Sequence, residues 1–125
     1  MIVGLGIDVE EIERLEAALA RSGPKIAERL FTEREREDAL GLKNASEFLT
    51  GRYAAKEALF KALGTGVSGG ITWRDAEVTN APGGAPEIRI QGRAREVFDE
   101  RGARRVWLSI THTGRTAAAV VVLEA

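Results

Sequence analysis

No cysteine occurs in this chain and only one histidine, His112. Disulfides, thiolate metal sites and a cysteine nucleophile are therefore excluded. A zinc site built from several histidines is excluded with them. A chain without cysteine is compatible with a reducing cytoplasm. Neither sign of charge is in excess: 18 basic against 19 acidic side chains leave a net charge of −1, so no overall basic field marks a nucleic-acid binder. No apolar run reaches the ~18 residues that span a bilayer. The first residues lack the basic segment and long apolar run of a secretory leader. What remains is 125 residues, 44% apolar and 30% charged, read as one globular domain large enough for a real core.

The most informative stretch is Arg52-Tyr-Ala-Ala-Lys-Glu-Ala-Leu-Phe-Lys-Ala-Leu-Gly-Thr-Gly66. It reads as the second half of a helix that starts near Ala45 and stops at Gly64, ~28 Å long at the usual rise. Asn44 and Glu47 have capping-box spacing at its start, and Gly64 suits a C-terminal cap. At ~100° per residue, Phe48, Ala55 and Leu59 share a core-facing side. Arg52 and Lys56 share a second strip, and Glu57 and Lys61 a third, where Tyr53, Ala54 and Phe60 flank the carboxylate. A glutamate in that setting loses hydration and needs a cation, a metal or a proton to compensate. On its own, Glu57 with Lys61 is an ordinary i,i+4 pair worth ~0.2–0.5 kcal/mol.

Upstream, Met1 to Val9 alternates as a strand, with Val3, Leu5, Ile7 and Val9 on one face and Ile2, Gly4, Gly6 and Asp8 on the other. The two glycines leave a low floor beside Asp8, where a backbone or ligand can come close. Asp8 itself is read as an N-cap for a helix over Glu10 to Arg21, or as a ligand-binding acid; one position can serve both roles. Arg14 and Arg21 lie seven apart on that helix and project to the same side, as solvated ion pairs or as a cationic edge for an acidic protein.

Lys25 to Phe31 is a short turn or helix, and Thr32 with Glu35 opens another helix to about Leu40. The segment from Gly64 to Gly70 is glycine-rich but lacks the lysine of a P-loop, so it is weak evidence for phosphate binding. Ile71 to Thr79 and Glu87 to Ile90 read as strands joined by a turn-rich segment, Gly92 to Arg101 as a helix, and Arg105 to Thr111 with Ala117 to Leu123 as a hairpin turning near Gly114. Ala117 to Leu123 is apolar throughout and is expected to be a central strand buried on both faces. His112 continues the Val106, Leu108, Ile110 face; a lone histidine there is a structural hydrogen-bonder unless acids or phosphates lie near. The order of elements favours an α+β fold, an antiparallel sheet packed with a long central helix and shorter ones.

Three blocks together resemble the holo-[acyl-carrier-protein] synthases along nearly the whole chain: Gly4-Leu-Gly-Ile-Asp8-Val-Glu-Glu-Ile-Glu-Arg14; Phe31-Thr-Glu followed by Arg52 to Gly66; and Leu108-Ser-Ile-Thr-His112-Thr. The resemblance implies a small 4′-phosphopantetheinyl transferase domain over residues 1–125. Its reaction moves 4′-phosphopantetheine from coenzyme A to a serine of apo acyl carrier protein and releases adenosine 3′,5′-bisphosphate, in support of fatty acid biosynthesis. It also implies Mg²⁺ held by Asp8 and Glu57, with Lys61 neutralising the leaving group. Mg²⁺ accepts a few carboxylates together with waters and phosphate oxygens, which agrees with the setting of Glu57. The base is left open between Glu57 and a metal-held water.

By the same resemblance, Lys43, Arg52, the Gly64-Thr65-Gly66 turn, Pro86 and His112 hold coenzyme A, with Asn80 a lesser candidate. Arg14 and Arg21 meet the carrier protein. The family assembles as a homotrimer with sites between subunits, in the cytoplasm, without a membrane or nucleic-acid partner. Two other readings account for part of the pattern: a non-catalytic module that binds coenzyme A or carrier protein, and a small coenzyme A thioesterase that needs a carboxylate but no Mg²⁺.

Overall fold

A computed structural model describes Met1–Ala125. The elements run β1 (Ile2–Glu11), α1 (Ile12–Ser22), α2 (Pro24–Leu30), α3 (Glu33–Ala39), α4 (Ala45–Leu63), a 3₁₀ turn (Trp73–Asp75), β2 (Ala76–Asn80), β3 (Pro86–Ile90), α5 (Gly92–Glu100), β4 (Arg105–His112) and β5 (Thr116–Glu124). An antiparallel sheet of order β1-β5-β4 and a β2–β3 ribbon pack with α4, giving the expected α+β architecture.

Helix α4 is the spine. It spans the residues expected from the pattern and ends where Gly64 adopts φ 79°, the left-handed turn that glycine takes without strain. Three of the four carbonyls freed at this end are occupied: the Gly64 N–H donates to Lys61 O, those of Thr65 and Gly66 donate to Phe60 O, and Arg101 Nη1 donates to Leu63 O at 3.0 Å. The expected capping box at the other end is not formed; Asn44 makes no side-chain cap, and Glu47 turns toward β4 instead. The box at Thr32 and Glu35 is present, a device worth ~1 kcal/mol.

Contact between α4 and β1 is unusually close, and Gly4 and Gly6 are the reason. A Cβ on Gly6 would lie 1.8 Å from Ala58 O, and one on Gly4 2.4 Å from Ala62 O. Only a surface without side chains lets the helix backbone lie directly on the strand. The low floor read from the alternation is therefore filled by α4 itself. The Ala54, Ala55, Ala58, Leu59, Ala62 and Leu63 side packs with Ala119, Val121 and Leu123 of β5 in the main core.

Three expectations are corrected here. Asp8 is not an N-cap: β1 stays extended to Glu11 because Val9, Glu10 and Glu11 pair with Ala118, Ala117 and Thr116 of β5, and α1 begins only at Ile12. The segment expected as a strand from Ile71 opens as the 3₁₀ turn at Trp73–Asp75, and β2 starts at Ala76. Strand β5 is central but not buried on both faces. Ala117, Ala119, Val121 and Leu123 are buried against α4, whereas Ala118, Val120 and Val122 are only half-buried. On that outer face they adjoin Leu5, Ile7 and Val9 of β1 and Trp107 of β4, all exposed, between 55% for Trp107 and 65% for Leu5.

A buried ion pair ties the remaining layers to α4. Lys56 Nζ donates to Glu35 Oε1, Leu30 O and Trp73 O, while Glu35 accepts in addition from the Thr32 and Val78 N–H groups. Both side chains are fully buried. Burial pushes the Lys56 ammonium down and the Glu35 charge holds it up. With every polar atom of the pair engaged, α2, α3, the 3₁₀ turn and β2 are fixed to one point on α4.

Candidate active site

Four titratable groups meet along the seam between β1 and α4. Asp8, at the end of the glycine floor, is 8% exposed. Its Oδ1 accepts from Lys61 Nζ at 2.9 Å, and the same ammonium donates to Ile7 O at 3.0 Å. Lys61 thus turns to Asp8 rather than closing the i,i+4 pair with Glu57. Asp8 Oδ2 is buried with no N–H or hydroxyl donor, a costly condition for a carboxylate oxygen; the adjacent Glu10 carboxyl bonds to Asp8 only when it carries a proton.

Glu57, half-buried on the next turn of α4, accepts from Tyr53 Oη at 3.1 Å. Burial raises the Glu57 carboxyl above its ordinary range and the Asp8 charge raises it further, while the Tyr53 hydrogen bond and Lys61 oppose. Glu10 follows Asp8 by two on β1, hence on the same face. It is pushed up to about 8, first by burial and then by its contact with Asp8. Lys61 is raised by its bond to Asp8. Three carboxyl groups, Asp8, Glu10 and Glu57, thus face Lys61, with Arg14 of α1 acting on Glu10 from the other side.

Chemically, this donor set fits Mg²⁺. An open site with two carboxylates and an unpartnered buried oxygen matches a cation that keeps waters and takes substrate phosphate oxygens.

A second cluster lies on the opposite flank of α4. Leu42, Lys43, Asn44, Glu47, Phe48, Gly51, Arg52, Ile110 and His112 line a cavity of about 330 Å³. Arg52 is held there by Asn80 Oδ1, which accepts from its Nη2 at 2.8 Å, and by the Phe48 ring 3.8 Å beneath its guanidinium. Its Nε is buried and unpartnered. His112 Nδ1 lies 3.2 Å from Glu47 Oε1.

One protomer therefore collects Lys43, Arg52 and His112 in a cavity, and Asp8, Glu57 and Lys61 at the seam, but does not bring the two sets together. Arg52 and Lys61 are nine residues apart and so about half a turn out of phase on α4. The floor contacts of Gly4 and Gly6 lie on the β1 side, while Gly51 meets Ile110 on the β4 side. The Gly64-Thr65-Gly66 turn lies ~18 Å along the helix axis from Arg52, with its N–H groups already committed to helix carbonyls. Pro86 is the cross-strand partner of Asn80, whose Oδ1 accepts from Arg52. Arg14 and Arg21 are exposed on α1.

Four features of the site escaped sequence reasoning. Glu10 was legible only if β1 continued past Val9. The Tyr53–Glu57 bond was implied by their i,i+4 spacing. The facing of Glu47 and His112 and the Glu35–Lys56 pair join distant segments and had no local signal.

The sequence profile of the 4′-phosphopantetheinyl transferase superfamily matches residues 4–121. A holo-[acyl-carrier-protein] synthase of Nitratidesulfovibrio vulgaris is 48% identical over 124 residues, 99% of each chain. That of Geotalea daltonii is 40% identical over 124 residues, again 99% of each. Among solved structures, the holo-[acyl-carrier-protein] synthase of Neisseria meningitidis aligns with a TM-score of 0.91 at 32% identity over 100% of both chains. A Bacillus anthracis synthase described as in complex with CoA (3′,5′-ADP) aligns with a TM-score of 0.84 at 42% identity, covering 100% of this chain and 98% of that one. The chain belongs to the 4′-phosphopantetheinyl transferase superfamily and is an enzyme of the holo-[acyl-carrier-protein] synthase type.

Proposed function

We propose that this enzyme transfers 4′-phosphopantetheine from coenzyme A to a serine of apo acyl carrier protein, with Mg²⁺, and releases adenosine 3′,5′-bisphosphate. The observation that carries the reading is the buried, unpartnered Asp8 Oδ2 in a cluster with Glu57 and Lys61. Asp8 and Glu57 hold the cation, whose charge, when bound, offsets that of the diphosphate. Lys61, whose side chain is half-exposed, exchanges Asp8 for the leaving bisphosphate. The serine oxygen forms a bond to the phosphorus that carries pantetheine as the bond to the bisphosphate oxygen breaks. The serine proton passes to Glu57 or to a water beside it. Positioning and electrostatics suffice for such a displacement, so no protein nucleophile is required.

Lys43, Arg52, His112 and the 64–66 turn bind coenzyme A phosphates and adenosine, with Asn80 and Pro86 behind Arg52. The cavity and the acid seam flank α4 on opposite sides, which supports a site completed between copies of the chain; a homotrimer is the assembly that the family resemblance implies. The outer sheet face of Leu5, Ile7, Val9, Trp107, Val120 and Val122 supports that assembly; contiguous apolar side chains of this size favour a partner over water. Arg14 and Arg21 receive the acidic carrier protein. The enzyme serves fatty acid biosynthesis and lipid metabolism in the cytoplasm.

Incubation with coenzyme A, Mg²⁺ and apo carrier protein, read by intact mass, is the test. The carrier gains one phosphopantetheine mass with wild type and none with Glu57→Gln, whose fold is retained by circular dichroism. Mg²⁺-dependent transfer by the variant at the wild-type rate rejects the role of Glu57. A binding module would add no mass, and a thioesterase would only release thiol from an acyl form.

A further inference from the structure

We propose that Tyr53 is a positioning residue for Glu57: its hydroxyl holds one carboxylate oxygen so that the other is presented toward Asp8 for the divalent cation. This rests on the reading of Asp8 and Glu57 as the cation's ligands.

The geometry is specific. Tyr53 and Glu57 stand four apart on α4, and Tyr53 Oη donates to Glu57 Oε1 at 3.1 Å. No other hydrogen bond restrains the Glu57 carboxylate; Lys61, its i,i+4 neighbour, is engaged by Asp8 and Ile7 instead. A free glutamate samples many rotamers, and fixing them on ligand binding costs conformational entropy. Tyr53 removes part of that cost in advance.

The donor is itself held rigid. The Tyr53 ring stacks on Trp73 with centroids 5.1 Å apart and planes at 28°, and Trp73 meets Phe60 edge-on at 5.8 Å. The carbonyl of Trp73 accepts from Lys56, which is locked in the buried pair with Glu35. A continuous set of contacts therefore runs from the interior, through Lys56 and Trp73, to the ring whose hydroxyl meets Glu57. Phenylalanine would satisfy the packing on Trp73, so packing does not account for the hydroxyl. A hydroxyl that donates to a carboxylate yet is not itself placed among the cation's ligands has an orienting function.

The test compares wild type, Tyr53→Phe and Glu57→Gln, each with saturating coenzyme A. Mn²⁺ is the probe, titrated by the electron paramagnetic resonance signal of the free ion. Michaelis constants for Mg²⁺ are measured in parallel. Tyr53→Phe is expected to bind Mn²⁺ five- to tenfold more weakly and to raise KM for Mg²⁺ by a similar factor, with kcat at saturating Mg²⁺ changed less than twofold and the melting temperature close to wild type. A merely structural role would lower the melting temperature and kcat without that split. If Tyr53→Phe binds Mn²⁺ as wild type does while Glu57→Gln does not bind it, the inference about Tyr53 falls and the ligand role of Glu57 stands. If Glu57→Gln binds Mn²⁺ as wild type does, both fall.

Discussion

Replacing Gly6 by alanine tests whether the seam that carries the acids depends on backbone-to-backbone contact. Gly6 has no positive φ, so alanine introduces no backbone strain and acts through its methyl group alone. That methyl would meet Ala58 O at 1.8 Å and Ala62 N at 2.8 Å, against 3.4 Å or more for ordinary contact, so α4 and β1 must separate by about 1.6 Å. The obstacles are helix backbone atoms and cannot rotate aside. Overpacking of this kind costs about 3 kcal/mol, the upper end of the usual range. For a domain of this size that corresponds to a fall of roughly 12 °C in melting temperature. Separation also moves Glu57 and Lys61 away from Asp8, and a displacement on the order of 1 Å at reacting groups costs ~10²-fold in rate. Differential scanning calorimetry and a carrier-modification assay read the two effects. Gly83→Ala, where an added Cβ meets nothing within 4 Å, should change neither. A Gly6→Ala protein that melts within ~2 °C of wild type with undiminished turnover would refute the steric argument.

Other outcomes follow from the same geometry. Lys56→Met leaves Glu35 buried without a cation and should cost about 3–5 kcal/mol; the double change Glu35→Leu with Lys56→Met should recover part of it by chemical denaturation, and a single variant as stable as wild type would contradict the pairing. Glu10, raised by burial and Asp8 to about 8, binds more protons in the folded than in the unfolded state. Its ionisation therefore removes stability as pH rises from 4.5 toward 8. Glu10→Gln should abolish that loss and gain on the order of 1 kcal/mol at pH 9, after discounting for solvent screening of a half-buried group; an unchanged pH profile of melting temperature would contradict it. Arg14→Glu should raise KM for carrier protein about tenfold, more at low than at high salt, and leave KM for coenzyme A unchanged; an unaltered carrier KM would reject Arg14 as a docking residue.

Much of the architecture was legible because local rules and tertiary packing agree. Helix α4 carries its own stop at Gly64, Thr32 and Glu35 form their cap, and the alternation of Gly4, Gly6 and Asp8 announced a close approach. Failures arose where distant pairing overrode local preference. Glu10 and Glu11 resemble a helix's first turn, yet β5 offers their backbone a ladder, so the strand continues and Asp8 caps nothing. Arg52 and Lys56 share a strip on α4, but Glu35, 21 residues away in sequence, draws Lys56 into the interior. Glu47 has capping spacing and instead faces His112 across the helix–sheet boundary. That the acid seam and the basic cavity fall on opposite flanks of α4 depends on which sheet edge each flank meets, and no periodicity encodes that.

The account turns on Asp8 and Glu57 sharing one cation. Crystals grown with coenzyme A and Mn²⁺, with anomalous data collected at the manganese edge, test it most directly. The account predicts a single strong peak within ~2.2 Å of a carboxylate oxygen from each residue, completed by diphosphate oxygens. A peak bound to only one of the two acids, or coenzyme A seated with no peak at either, would contradict it.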